Sequence, residues 1–427
     1  MILRVLMVLM RDIHYDSRVQ REAVALAKEG WYVDIACFHT STEPPPELHE
    51  RVRLLRFPVR IKRVKRYLEK NVDRKVKEGV YRIVRNPVVK LAKDAVIQRN
   101  FALRVWELCE NASYDVVHCH DYHTLGIGVY LKRKKDMSLV YDPHERFSEM
   151  NEKNRWERIM DDRRKSWKME WVDHLITANE LLQQEFQSLY PDLSITVIRN
   201  IPESLSELPL EKNYFHQTFG LSSNDQVVLY QGGFFPNSGL EELVSSISYL
   251  PEHCKLVLLG FGTWENRLKQ LVKQKGLDHR VFFHQPLWPR ELLRVTAHAD
   301  LGVVLSSHTD RTSRLTPHKV FEYIQAGIPV VASDQPGKAI VVGTYQTGKL
   351  VDSRNVKEVA GAIQEVLADP DPWLIGTHKA RKRLCWEKEQ ERLTRLYQQI
   401  DLARSEKKAE KRKQEDVVSI QPHLRQL

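Results

Sequence analysis

The stretch 299–337 constrains the fold of this chain more than any other. It opens Ala299-Asp300-Leu301-Gly302-Val303-Val304-Leu305-Ser306-Ser307 and passes through a polar loop that carries Arg311 and Arg314. Thr316-Pro317-His318-Lys319-Val320-Phe321-Glu322-Tyr323 follows, then Ala326-Gly327-Ile328-Pro329-Val330-Val331-Ala332-Ser333-Asp334. Residues 300–305, apolar after Asp300, and 328–332 read as short strands buried on both faces of a parallel sheet. Pro317 suits the start of a helix, where a missing N–H costs little, and Gly327 suits its end. This order predicts a helix start beside strand C-termini, where open α/β sheets bind nucleotides and phosphates.

The rest of the chain repeats the same grammar. Residues 3–10 read as a strand, 18–28 as a helix stopped by Gly30, and 32–38 as a second strand, which makes a β-α-β unit. Further strands are expected at 115–119, 139–142, 175–178, 196–200, 227–231, 256–259, 281–284 and 348–352, with helices at 156–171 and 356–367. Ser238 and Glu241 have capping-box spacing ahead of an apolar helix. At 427 residues the chain is long enough for two ordinary domains. We expect an N-terminal domain over 1–203, an acidic, non-periodic linker over 204–222 and a C-terminal domain over 223–372. A helix over 373–402 and a charged, disordered tail over 403–427 complete the division.

No apolar run approaches the length of a membrane span. Arg11 and Asp12 close the apolar start, and no small-residue cleavage site follows, so residues 1–10 read as a strand and not a signal peptide. Cys37, Cys109, Cys119, Cys254 and Cys385 show no paired spacing, which points to a reducing cytoplasm. The net charge of +10 is unevenly spread: 51–104 holds 18 Lys and Arg against four acidic residues, a net +14. Val64, Leu68, Val72 and Val76, then Val80, Ile83 and Val84, have helical spacing in it, the pattern of basic amphipathic helices. An anionic membrane surface attracts such a segment by roughly 1 kcal/mol per basic residue close to it. A solvated basic face over a core helix accounts for the same charge. Nucleic acid is not an expected partner, because no recognition motif accompanies the charge.

Four further runs carry chemistry. Asp16-Ser17-Arg18-Val19-Gln20-Arg21-Glu22 lies where the first strand turns into its helix. Asp115-Val116-Val117-His118-Cys119-His120-Asp121 ends a strand, as does Leu139-Val140-Tyr141-Asp142-Pro143-His144-Glu145. His118, Cys119, His120, Asp121 and His123 are metal-ligand types. Strand alternation nevertheless puts His118 and His120 on one face and Cys119 on the other, so no metal is expected. Gly232-Gly233-Phe234-Phe235-Pro236-Asn237-Ser238-Gly239 and Gly260-Phe261-Gly262-Thr263 follow apolar strands and precede helices, where backbone N–H groups can approach a diphosphate.

Together these runs resemble family 4 glycosyltransferases, in particular a branch reading Leu-Pro-x-Lys-x-Phe-Glu-Tyr and Tyr-Asp-x-His-Glu. The likeness extends over about residues 1–400. It implies the GT-B fold: α/β, two Rossmann-like doubly wound domains facing a cleft, with a C-terminal helix crossing back to the N-domain. The implied activity is transfer of a hexose from a nucleotide-sugar to a glycan or lipid-linked acceptor. The resemblance further implies retention of configuration, independence of metal and cofactor, and a role in cell-envelope or exported glycan synthesis. It places the enzyme in the cytoplasm, as a peripheral protein of the inner membrane face if the basic segment docks there.

By the same resemblance the donor is held by Gly232, Gly233, Gly260, Gly262, Arg314, Pro317, His318, Lys319, Phe321 and Glu322, with Glu322 on the ribose. The loop 285–288 resembles the one against which the base lies. His120 is placed beside the reacting sugar, and Asp16, Arg18, His144 and Glu145 on the acceptor side. Other readings of these residues stay open: Asp16 and Arg18 as helix-end charges, His120 as a hydrogen-bonded structural histidine, His144 and Glu145 as a solvated loop tip, Glu322 as an exposed helical residue. The chain departs from the family at Gly233 and Ser238, where an arginine and a lysine are usual, and at Arg314, where a glutamate is common. Arg311, Arg314, His318 and above all Lys319 are the candidate replacements for the missing cations. A catalytically silent protein of the same fold, binding a partner transferase or a glycan, is the alternative those departures raise.

Overall fold

A computed structural model describes residues 2–58, 87–143, 167–306 and 313–424. The chain divides into two compact units. The first comprises 1–177, 185–198 and 390–427, and the second 178–184 and 199–389.

The first unit is a parallel sheet of seven strands in the order β3-β2-β1-β4-β5-β6-β7. These are β1 (Arg4–Asp12), β2 (Tyr32–His39), β3 (Val52–Pro58), β4 (Val116–His120), β5 (Ser138–Asp142), β6 (His174–Thr177) and β7 (Ser194–Val197). Leu3 and residues 5–8 of β1 are wholly buried, as a central strand covered on both faces must be. Helix α1 (Ser17–Lys28) starts at Asp16, whose carboxylate accepts from the Val19 N–H at 3.1 Å, and Gly30 with φ 90 turns the chain into β2. Helix α2 (Pro87–Asn111) lies at the end of the basic segment and buries Phe101 and Val105, with the Phe101 ring edge-on to Phe38 at 5.0 Å. The amphipathic pattern of 64–84 lies outside the described residues, as does nearly all of the helix expected at 156–171. Helix α3 (Tyr122–Lys134) and helix α4 (Glu180–Leu189) follow β4 and β6.

The second unit repeats the topology with six parallel strands, in the order β10-β9-β8-β11-β12-β13. They are β8 (Gln226–Gly233), β9 (Cys254–Phe261), β10 (Val281–His284), β11 (Leu301–Val304), β12 (Val330–Ser333) and β13 (Gly348–Val351), and the helices around them include α7 (Glu265–Gln274), α11 (Val356–Ala368) and α12 (Asp371–Arg383). In each sheet the strand order reverses beside the first strand, between β1 and β4 and between β8 and β11. Such a switch point opens a crevice at the strand C-termini.

Three expectations are corrected. Residues 204–222 are not a linker, because they belong to the second unit and contain helix α5 (Tyr214–Phe219), whose Phe215 is fully buried in that unit's core. Ser238 does not cap a helix: α6 (Leu240–Ser246) starts from Gly239 in the left-handed region, with no side-chain cap. The tail is not irregular, since α13 (Trp386–Leu424) runs on through it. Lysine and glutamate favour helix without any apolar face, and Arg404 and Lys408 pair with Asp115 while Lys407 pairs with Asp136. From Gln390 onward α13 belongs to the first unit, where Tyr397 packs 5.7 Å from the Trp31 ring.

The interior of the first unit holds a charged pair. Arg18, only 2% exposed, donates from Nε and a terminal nitrogen to the two oxygens of Asp142 at 2.8 and 3.0 Å. Its other terminal nitrogen donates to the Ile198 carbonyl at 2.9 Å. Glu22 lies 3.0 Å from the same guanidinium, so removing Arg18 leaves two buried carboxylates without their cation, at about 3–5 kcal/mol. We therefore expect Arg18→Met to lower the stability of the first unit by about that much in urea denaturation of the full chain. A loss below about 1 kcal/mol, the scale of an exposed pair, would mean that Arg18 is not held this way.

Candidate active site

At the switch point of the second unit, β8 ends in Gly232-Gly233. Gly232 has φ 119, and a Cβ there would lie 2.8 Å from Cε of Lys319. Lys319 is the second residue of α9 (His318–Gln325). Its Nζ donates to the Tyr230 hydroxyl at 2.7 Å and sits 3.9 Å from that ring's centroid. The lysine is thereby fixed over the end of β8 by a hydrogen bond and a cation–π contact.

Glu322, three residues on and so on the same helix face, accepts from the Gln231 side-chain amide at 2.6 Å. The amide oxygen of Gln231 in turn accepts from the Thr296 hydroxyl at 2.7 Å, and Thr296 closes α8 (Pro289–Thr296). The Gln231 backbone N–H donates to the Tyr323 hydroxyl at 3.1 Å, and that hydroxyl donates to the Leu229 carbonyl at 3.2 Å. Burial, chiefly, raises the Tyr323 phenol well above its ordinary pKa and keeps it a donor. Thr296, Gln231 and Tyr323 are all buried, whereas Glu322 is half-exposed at the end of this chain. A carboxylate held in this way can accept the hydroxyls of a ribose without reorganising first.

The other expected donor residues divide. Gly260 has φ 146, and a Cβ there would lie 2.0 Å from the Gly232 carbonyl oxygen; at Gly262 it would lie 2.2 Å from that of Phe234. Both glycines let the tips of β8 and β9 touch. A Cβ at Gly233 would strike the exposed ring of Phe235. Pro317 is the N-cap of α9 and not its first helical residue, and Gly327 with φ 75 follows its end. His318 is exposed and tied to Asn200, Nδ1 to the carbonyl at 3.2 Å and Nε2 to the side-chain amide at 3.1 Å. Arg314 is exposed, its carbonyl accepting from Asn179 at 2.6 Å. Phe321 must be reassigned: at 2% exposure it packs in the apolar core among Val320, Ile324 and Val341 and anchors α9 to the sheet. Arg311 lies outside the described residues.

Nothing in the sequence pattern singles out Gln231, Thr296, Tyr230 or Lys338. Lys338 belongs to α10 (Pro336–Tyr345), is 1% exposed, and donates to the Ser306 hydroxyl at 2.8 Å and to the Gln335 side chain. Buried polar residues next to glycines are the only hint the sequence carries, and burial is not visible there.

In the first unit His120 ends β4, stacked on His118 with ring centroids 4.2 Å apart. His118 Nδ1 lies 3.0 Å from the Tyr397 hydroxyl, and His120 Nδ1 lies 3.7 Å from Asp142 Oδ2. Asp121 follows with φ 66, a backbone strain of the kind that clusters at functional sites. The Thr124 hydroxyl holds the bend by donating to the His120 carbonyl at 2.7 Å. Asp16 and Arg18 do not present themselves to an acceptor: Asp16 caps α1, and Arg18 is sealed between Asp142, the Ile198 carbonyl and Glu22 at 3.0 Å. Burial alone would lower the Arg18 pKa, but Asp142 and Glu22 overcome it and raise it. Glu22, His118, His120 and Asp142 have ligating atoms within 4.8 Å of one another, a metal-like grouping that alternation along one strand did not foresee. The Arg18 guanidinium lies among them, hydrogen-bonded to Asp142 and 3.0 Å from Glu22. His144 and Glu145 lie outside the described residues.

Two doubly wound parallel sheets, each with its chemistry at the strand C-termini, are the architecture of the GT-B fold. Solved structures of that class match it: sucrose-phosphate synthase of Thermosynechococcus elongatus covers 94% of this chain and all of its own, at 19% identity and a TM-score of 0.71. The Anabaena protein HepE, solved in complex with UDP and with UDP-glucose, covers 93% of this chain, at 15% identity and a TM-score of 0.68 for the UDP complex. The family model "Glycosyl transferase 4-like domain" matches residues 15–200, and "Glycosyl transferases group 1" matches 211–403. The chain belongs to the GT4-like group of GT-B glycosyltransferases. An uncharacterised glycosyltransferase of Methanocaldococcus jannaschii is 27% identical over 272 residues, spanning 60% of this chain and 67% of its own.

The glycine contacts give a graded test. Gly276 has φ 67 with nothing within 4 Å of an added Cβ, so Gly276→Ala should cost about 1 kcal/mol of backbone strain. Gly260→Ala adds a collision with a backbone oxygen and should cost more than twice that, by chemical denaturation. Equal losses would show that the two strand tips are not in contact.

Proposed function

We propose that this glycosyltransferase moves a hexosyl group from a nucleoside-diphosphate sugar to a hydroxyl of a glycan or lipid-linked acceptor. On this reading the reaction is metal-independent, retains the anomeric configuration and builds cell-envelope or exported polysaccharide. The observation that carries the reading is the relay Thr296–Gln231–Glu322 beside Lys319, over the glycine end of β8. The UDP and UDP-glucose complexes of HepE support a nucleotide-sugar donor.

In the proposed reaction the bond between the anomeric carbon and the β-phosphate oxygen breaks, leaving its electron pair on that oxygen. The acceptor oxygen forms the new bond on the same face of the sugar, and its proton passes to the departing phosphate. Negative charge therefore grows on the diphosphate, and a fixed cation beside it lowers the barrier. Lys319 takes that part and Glu322 holds the ribose, whereas the His120 side chain is wholly buried and is not offered to the sugar. Glu322→Ala should reduce transfer more than tenfold, about 1.4 kcal/mol of lost transition-state stabilisation. Full turnover by a folded variant would remove Glu322 from the site.

Gly233 and Ser238, standing where relatives carry cations, favour a second reading, a silent protein that binds a transferase or a glycan. Donor hydrolysis or transfer by the purified chain excludes it; failure of both with every nucleotide-sugar tried would establish it. The segment 51–104 is proposed to dock on an anionic membrane surface, placing the enzyme at the inner face. No helix among the described residues is long and apolar enough to cross a membrane. Docking predicts salt-sensitive binding to phosphatidylserine vesicles that falls when Lys62, Arg63, Lys65 and Arg66 are neutralised. No binding at low salt would rule it out.

A further inference from the structure

The structure assigns Lys338 as a second cation of the donor diphosphate site, replacing with Lys319 the charge that Gly233 and Ser238 do not supply. This rests on the nucleotide-sugar reading above. The two lysines sit at the C-terminal ends of the neighbouring strands β8 and β11, which flank the switch point. Lys319 lies against Gly232 at the start of the glycine loop, its Nζ 3.1 Å from where a Cβ would sit. Lys338 donates to Ser306, and the preceding residue, Leu305, would meet a Cβ on Gly239 at 2.4 Å at the loop's other end.

Burial, the helix dipole and Lys319 all oppose the charge of Lys338. The side chain is 1% exposed and sits in the first turn of α10, where the helix dipole disfavours a cation. Its hydrogen-bond partners, Ser306 and Gln335, are neutral. The backbone of Arg314 and Leu315 presses on neighbouring Gly337, with the Arg314 side chain exposed. Lys319 is the charged group that acts on Lys338, and among the described residues no carboxylate forms an ion pair with either lysine. Burial first, and Lys319 second, push its pKa down to about 8. A buried lysine beside a second, half-exposed one, with no described carboxylate paired to either, is unfavourable alone and is relieved by an anion bearing two charges. A diphosphate on the glycine loop is such an anion.

The sign of the pH effect follows. A lysine with a lowered pKa is partly neutral above pH 8 when free, and an anion beside it draws the proton back. Diphosphate binding should therefore take up protons in mildly alkaline solution and weaken as pH rises through 8. The experiment is calorimetry of UDP, GDP, ADP and TDP binding to the full chain at about pH 8.5, in two buffers of different ionisation enthalpy. Lys338→Met, close to isosteric, is compared with wild type, and Lys338→Gln serves if the first variant folds poorly. For the diphosphate that binds, wild type should take up a measurable fraction of a proton. The variant should lose that uptake and bind at least about tenfold more weakly. Its affinity for the parent nucleoside should be unchanged, and its unliganded thermal midpoint should equal or exceed that of wild type. Equal diphosphate affinity and equal proton uptake in the variant would overturn the role of Lys338 while leaving the nucleotide-sugar reading intact. A wild-type chain that binds none of the four diphosphates would overturn both.

Discussion

The tip of β8 can be built in only one way, and much of the second unit depends on it. Gly232 must leave room for the Lys319 side chain on one side and receive the backbone of Gly260 on the other. Any Cβ at either glycine would part the two strands or expel the lysine. Their contact puts Gln231, the last side chain before the turn, under α8 and α9 together, so that one amide can accept from Thr296 and donate to Glu322. The requirement is steric, and its product is chemical: a carboxylate and an ammonium on one helix face, each with a fixed partner.

The first unit meets the opposite problem, charge where no water reaches. Arg18, Glu22 and Asp142 are buried together beneath the paired rings of His118 and His120. One guanidinium lies within 3.0 Å of both carboxylates of this metal-like grouping. Desolvating such charges costs several kcal/mol per ion unless they are paired, and the bidentate bonds from Arg18 offset that cost for Asp142. Tyr397, brought in by α13, closes the cluster from the far side of His118, its phenol held neutral by burial.

Most of the fold was legible because buried parallel strands are unbroken apolar runs. Residues 281–284 and the helix from 356 stand within a residue of where periodicity puts them. What escaped was governed by contacts distant in sequence. Tyr214, Phe215 and Phe219 sit in an otherwise acidic stretch, and only the core they enter makes 204–222 part of a domain. Helix in the tail depends on lysines that meet Asp115 and Asp136 almost three hundred residues away in sequence. At the site, Glu322 and Lys319 were reachable through motif and spacing. Gln231 and Lys338 were not, since an amide at a strand end and a lysine before an apolar helix look ordinary until their burial is known. Phe321 differs in the other direction: its side chain is buried in the core, where it holds α9 to the sheet.

The central claim is that the glycine end of β8, with Lys319 and Glu322, binds the diphosphate and ribose of a nucleotide-sugar. The most direct test is a thermal-shift panel of UDP-, GDP-, ADP- and TDP-hexoses on the purified full chain, with chelator present, repeated on Glu322→Ala. One sugar nucleotide should raise the wild-type midpoint by several degrees and raise that of the variant far less. The same shift in both proteins, or none from any of the four in the wild type, would contradict the account.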